Sequence, residues 1–200
     1  MGNQETHDKQ ALKTQRVKSY FIQAAKEIIL NEGAENVSVR KVAELAGYTY
    51  TTLYNYFADL NELLQETKNV MIQEVMEYMQ RTTPNIINDL EDLKKVNRSY
   101  MAYYVDHPHI FMFFYSYRLN PVERSTVEIP DYSKLYQETY RSFVLKGIIQ
   151  EKDVPVIAKT IIYAIQGLLA LYFSDNGMTE IDYESIDKIT DYLLKGRNEG

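Results

Sequence analysis

The sequence predicts an all-α chain, with a small N-terminal three-helix module containing a helix–turn–helix and a larger C-terminal helical domain. Three observations carry this. Apolar residues recur every three or four positions along most of the 200 residues, without strand alternation or internal repeat. Gly33, Pro84, Pro108, Pro130, Gly147 and Pro155 stand where those periodic segments break. Residues 37 to 57 read as two short helices meeting at Gly47. The boundary between the two domains is placed at residue 58, giving 1–58 and 59–200.

The first helix is expected from about Leu12 to Asn31, with Val17, Phe21, Ala24, Ala25 and Ile28 inward and Gly33 just past its end. Ser38 is placed to cap the second, because its side-chain oxygen can accept from an otherwise unpaired backbone N–H. Val39, Val42, Leu45 and Ala46 are read as its apolar face. Thr49 caps the third helix, which Leu53 and Phe57 anchor at i, i+4. A fourth helix opens near Asp59 and carries Leu60, Leu63, Leu64, Met71, Val75 and Tyr78 on one stripe. Another runs through Leu90, Leu93, Asn97, Tyr100, Met101 and Tyr104 to His107-Pro108, followed by a short aromatic helix over 109–117. Leu119 to Pro130 is predicted as a loop. Helices over Tyr132–Gly147, from Asp153-Val154-Pro155 to about Asn176-Gly177, and over Glu184–Leu194 complete the chain.

Leu53 and Phe57 face inward, which leaves Tyr50, Thr51, Thr52, Tyr54 and Tyr56 to face outward. A helix–turn–helix that presents its second helix is suited to a DNA major groove. The hydroxyls of Ser38 and Thr49, near helix N-termini, suit phosphate oxygens. Tyr50, Thr51 and Thr52 lead the recognition helix and are the candidates for base edges and thymine methyls. Arg40 could reach either a base or a phosphate, and Lys41 is a further DNA-binding candidate.

Many spaced positions carry a family resemblance. Ile22, Ala24, Ala25, Ile28, Gly33, Ser38-Val39, Val42-Ala43, Ala46-Gly47, Thr49, Thr52-Leu53-Tyr54 and Tyr56-Phe57 resemble the N-terminal signature of the TetR (tetracycline-repressor) family of transcriptional regulators. The resemblance covers about residues 14 to 66. It implies that Tyr54 and Tyr56 contact phosphate, and that the last two helices, about 155–174 and 184–194, pair with those of a second subunit. A homodimer would hold two recognition helices one DNA turn apart on a palindromic operator. One position departs from the pattern: Leu60 stands where the family usually has lysine after the Asp opening the fourth helix. Binding is then expected to lean on Lys18, Lys41 or the N-terminal arm.

The net charge of −6 is unevenly spread. Residues 9 to 57 hold seven basic and four acidic side chains, a net of +3, which leaves −9 for the rest. A locally positive face on an acidic body fits phosphate binding by the N-terminal module alone. The absence of cysteine excludes a disulfide framework and thiolate metal sites. The polar start shows no secretory signal, and the longest apolar run found, Gly167 to Phe173, is too short for a membrane span. The chain is therefore expected in the cytoplasm.

The C-terminal domain is tyrosine-rich, the chain holding 18 in all. Tyr100, Tyr104, Phe111, Phe114, Tyr140 and Phe143 are the candidates for lining an effector pocket, since such pockets are mostly apolar and aromatic. The predicted effector is a small hydrophobic or aromatic molecule. The helix from Pro155 is apolar on more than one face, with Ala158, Ala164, Gly167 and Ala170 allowing close approach of a partner helix. Asp106-His107-Pro108-His109 lacks the spacing of a zinc helix and reads as one helix ending and another starting. No metal and no cofactor are expected, and no catalytic residue is assigned, because no nucleophile–base constellation or phosphate loop is present. The chain reads as a ligand-responsive regulator, a repressor, and not an enzyme. The alternative is a DNA-binding adaptor governed by a protein partner, with no small-molecule effector.

Overall fold

The structure, a computed structural model, describes residues 2–121, 131–174 and 180–195. Among these residues there are nine α-helices and two short 3-10 turns, and no strand. The helices are α1 (Gly2–Glu32), α2 (Val39–Leu45), α3 (Tyr50–Leu53), α4 (Leu60–Thr82), α5 (Leu90–Asp106), α6 (Pro108–Tyr115), α7 (Tyr132–Leu145), α8 (Val154–Phe173) and α9 (Tyr183–Lys195). The all-α prediction holds, with each expected helix in its place. Two extents differ. Helix α1 begins at Gly2 and not near Leu12, because residues 3–11 are ordinary helix formers without a breaker. The predicted end of α8 at Asn176-Gly177 and most of the predicted loop, from residue 122 to Pro130, lie outside the described residues.

The chain forms two compact units, one of residues 1–74 with 109–129, the other of 75–108 with 130–200. In the first unit, α1 supplies the central apolar face through Phe21, Ala24, Ala25, Ile28 and Ile29, all buried. Val42, Ala43, Leu53 and Phe57 from α2 and the α3 region are buried with them, as are Leu63 and Leu64 of α4. Gly33 turns the chain out of α1 at a φ of 91°, a backbone conformation that side-chain-bearing residues rarely adopt. Three polar residues on one stripe of α4 hold α6 and the chain after it. Asn61 both donates to the Asn120 carbonyl, at 3.0 Å, and accepts its N–H, at 2.9 Å. Gln65 donates to the same carbonyl, and the Lys68 ammonium to that of Phe114 at 2.9 Å.

In the second unit, α8 buries Val154, Ile157, Ala158, Ile161, Ile165 and Leu169, an i, i+4 stripe along one side. Helices α5 and α9 join through a polar seam: Asn97 donates to the Thr190 hydroxyl at 3.1 Å, Arg98 pairs with Asp187, and Lys94 with Asp191 at 2.8 Å. Helix α5 ends at His107, whose ring lies 4.7 Å from that of Tyr103, and Pro108 opens α6 as expected.

The sequence reading of membrane-length segments needs correction. The helical stretch Glu151–Phe173, 23 residues, is by length and composition apolar enough to cross a membrane, although only 33% of its most apolar window is buried. Lys159, Thr160 and Gln166 interrupt the apolar residues of this helix, so no unbroken run reaches membrane length although the mean hydropathy stays high.

Candidate nucleic-acid interface

Each helix of the 37–57 segment starts at a side-chain cap. Ser38 is extended (φ −136°, ψ 152°) and its hydroxyl oxygen accepts the Lys41 N–H at 3.3 Å. Thr49 does the same for the Thr52 N–H, also at 3.3 Å. The Thr49 hydroxyl also lies 2.8 Å from those of both Thr51 and Thr52, so one oxygen links three threonines. Between the two helices, Gly47 sits at φ 77° and donates to Glu44, while Tyr48 donates to Ala43 at 2.9 Å. This paired closure ends α2 with its last carbonyls satisfied, and it needs a residue free to adopt positive φ at position 47.

Two local expectations are corrected. Leu45 is not part of the inner face of α2; it is 47% exposed and Ala43 is buried in its stead. At 100° per residue Val39, Val42, Ala43 and Ala46 share a stripe, and Leu45 falls off it. The recognition helix is also shorter than predicted, since α3 ends at Leu53 and residues 54–56 form a turn. Both Tyr56 and Phe57 donate to the Leu53 carbonyl, and Asn55 donates to Thr52, which tightens that end.

The buried Phe21 ring of α1 fixes how α3 is presented. Its centroid is 5.2 Å from Tyr48, 6.1 Å from Tyr56 and 6.3 Å from Phe57, so aromatic rings from both ends of α3 pack on one residue. Leu53 is fully buried between them in sequence, and the other side of the short helix faces solvent.

On that outer side the candidate residues come together. Ser38, Arg40, Thr49 and Thr51 are exposed, and Tyr50 and Tyr54 are each 52% exposed. Thr52 and Tyr56 are half-buried, one through its place in the threonine cluster and the other through Phe21. Lys41 is half-buried and pairs with Glu32 in a solvent-accessible contact of the kind that holds only weakly. Lys18, expected to compensate for Leu60, is committed elsewhere: its ammonium is 2.7 Å from the buried Glu66 carboxylate and 4.8 Å from the centre of the Phe57 ring. Lys26 is paired with Glu74 at 2.6 Å.

The six aromatic candidates for effector binding divide between the units. Tyr100, Tyr104, Tyr140 and Phe143 belong to the second, where all but the half-buried Tyr100 are buried. The Tyr100 and Tyr104 hydroxyls are 3.4 Å apart, and the Tyr140 and Phe143 rings 6.2 Å. Burial pushes the Tyr140 phenol well above its usual range, so it stays a neutral hydrogen-bonding group. Phe111 is buried and Phe114 half-buried in the first unit. Beside Phe114 stands Lys68, a residue the sequence reading did not single out, with its ammonium 5.7 Å from the ring centre and its pKa lowered by burial. An open depression of about 370 Å³ lies on α7, lined by Gln137, Glu138, Arg141, Val144, Leu145 and Glu151. None of the six aromatic candidates lines it. Among the described residues, no group of three His, Cys, Asp or Glu is placed to hold a metal ion.

Comparison with known proteins bears on the N-terminal segment and the fold. Residues 21–67 match the family described as bacterial regulatory proteins, tetR family. No curated protein sequence matches the chain. Among solved structures, BioQ with its natural double-stranded DNA operator is similar at a TM-score of 0.58 and 20% identity, over 89% of this chain and 98% of that one. FadR of Thermus thermophilus, a TetR family transcriptional repressor in complex with lauroyl-CoA, is similar at 0.63 and 17%, over 90% and 94%. RolR with its ligand resorcinol is similar at 0.58 and 16%, over 92% and 97%. At these identities the likeness is one of fold.

Proposed function

We propose that this chain is a ligand-responsive transcriptional repressor of the tetR family of bacterial regulatory proteins, whose model its residues 21–67 match, and that it binds a palindromic operator as a homodimer. The observation that carries the reading is the outer side of α3. Two half-exposed tyrosines, Tyr50 and Tyr54, flank a fully buried Leu53 on a helix one turn long. Exposed hydroxyls can reach base edges and phosphate oxygens, and an exposed ring can meet a thymine methyl, so this side of α3 suits a major groove. Ser38, Thr49, Tyr54 and Tyr56 are assigned to phosphates, Tyr50, Thr51 and Thr52 to base edges, and Arg40 and Lys41 to either backbone or groove.

The DNA-binding module is taken as residues 1–58, and effector binding and dimerisation as residues 59–200. The dimer reading rests on α8 and α9. Opposite its buried stripe, α8 exposes Val156 at 66%, Tyr163 at 64% and Leu171 at 51%. Gly167 and Ala170 lie exposed on the same side, and nothing stands within 4 Å of where a Gly167 side chain would begin. An apolar face with small residues at its centre lets a second helix approach closely. Tyr192 of α9 is 79% exposed. Effector recognition is assigned to the aromatic side chains of the second unit, Tyr100, Tyr104, Tyr140 and Phe143. A small hydrophobic or aromatic molecule that favours a dimer with a different spacing of recognition helices would shift the population off DNA. This parallels RolR with resorcinol and FadR with lauroyl-CoA.

The test is selection of duplexes from a random pool, followed by binding of the enriched sequence. Thr49→Ala with Tyr54→Ala is expected to abolish binding while the mass of the protein in solution is unchanged. Enrichment of no duplex, or unaltered affinity in that variant, overturns the reading.

A further inference from the structure

We infer that Arg16 of α1 is a DNA-phosphate contact, held beside the entrance of the recognition helix by Tyr20 and Tyr48. The proposal rests on the regulator reading and adds to it a residue outside the helix–turn–helix.

Phosphate binding needs cations not already spent on carboxylates. In the first unit Lys18 is taken by Glu66 and Lys26 by Glu74, while Lys41 meets Glu32 only in a weak, solvent-accessible contact. Arg16 is exposed and, among the described residues, pairs with no carboxylate. It is nonetheless held. Its Nε donates to the Tyr20 hydroxyl at 2.9 Å, one helical turn on, and the guanidinium carbon lies 5.9 Å from the Tyr20 ring centre. That use of Nε leaves the four N–H bonds of the two terminal nitrogens for an outside acceptor.

The second link points to DNA. The Tyr20 ring, 40% exposed, stacks on Tyr48 at a centroid distance of 6.4 Å and an interplanar angle of 27°. Tyr48 is the residue immediately before the Thr49 cap, and its other neighbour is the buried Phe21. Two rings thus join the guanidinium of α1 to the turn from which α3 starts. A cation fixed at that turn faces the strand whose phosphates border the groove that α3 enters. It also supplies a positive charge in a module whose fourth helix opens with Leu60 in place of a lysine.

The experiment uses the full chain and the duplex it enriches from a random pool, with affinity measured across a salt series. Arg16→Ala is expected to weaken binding about tenfold and to lower the slope of log K against log salt by about 1 per protomer. Arg16→Lys should retain the slope. Tyr20→Phe should weaken binding while keeping the slope, because the charge remains and only its anchor is lost. A circular dichroism melt matching wild type shows that the Arg16→Ala fold is intact. If Arg16→Ala leaves affinity and slope unchanged while Thr49→Ala with Tyr54→Ala loses binding, the Arg16 assignment is wrong and the regulator reading stands. Enrichment of no duplex overturns both.

Discussion

The ammonium of Lys18 donates to the carboxylate of Glu66 at 2.7 Å, from one long helix of the first unit to the other. Glu66 is 3% exposed and Lys18 20%, so this is an ion pair largely removed from water. Breaking one side of such a pair strands the other charge, which costs more than the pair itself contributes. The same lysine covers the Phe57 ring, so one side chain ties α1 both to α4 and to the end of the recognition segment.

Lys18→Met is therefore expected to destabilise the protein by about 2 kcal/mol, with Glu66 left buried and unpaired. The measurement is the urea midpoint followed by circular dichroism. The double variant Lys18→Met with Glu66→Met should recover much of the loss, because both charges are then gone. Equal losses in single and double variants would show that packing of the lysine stem, and not the charge, matters.

Charging the exposed face of α8 should separate the protomers. Tyr163→Glu with Leu171→Glu places carboxylates on the side of α8 opposite its buried stripe. Light scattering is expected to fall from twice the chain mass to 23.4 kDa, with helical content kept. Operator affinity should drop at the same time, because one recognition helix covers only one half-site. Wild type that already scatters as a single chain would refute the dimer.

Acid should loosen the α5–α9 seam. The Asp191 carboxyl sits below its ordinary value of 3.8, first because the Lys94 ammonium donates to it and also because Lys195 does, against the opposing effect of burial. The unfolded chain then takes up the proton at higher pH than the folded one. The contribution of the pair is complete above about 3.8 and is lost as pH falls through the lower folded value. Urea midpoints taken from neutral pH down to about 3 should decline less steeply in Asp191→Asn than in wild type.

The helix–turn–helix was legible from sequence because its information is local. Caps at Ser38 and Thr49, a glycine where φ must be positive, and inward Val42, Leu53 and Phe57 lie within a few turns of one another. Leu45 shows the limit of reading apolar character without angle, since a leucine one step off the stripe looks apolar and faces water. The extent of α3 was misread for a related reason. Its anchors at 53 and 57 have helical spacing, yet the chain between them tightens into a turn on the Leu53 carbonyl.

The pairing of charges was not legible. Lys18 and Glu66 stand 48 positions apart, as do Lys26 and Glu74, and no periodicity links residues on different helices. Composition counted those lysines toward a positive face, but the folded chain spends them on carboxylates and leaves Lys9, Lys13, Arg16 and Arg40, exposed and paired with no carboxylate among the described residues, to carry it.

Sequence alone thus determined the helical class, the order of the helices and the place of the helix–turn–helix, since each follows from local caps, breakers and the 3.6-residue period. The tertiary structure decided which cations remain available, which side of α8 stays uncovered and how Phe21 props the recognition helix. Those outcomes depend on which helices lie against one another, and proximity in space is set by packing between segments far apart along the chain.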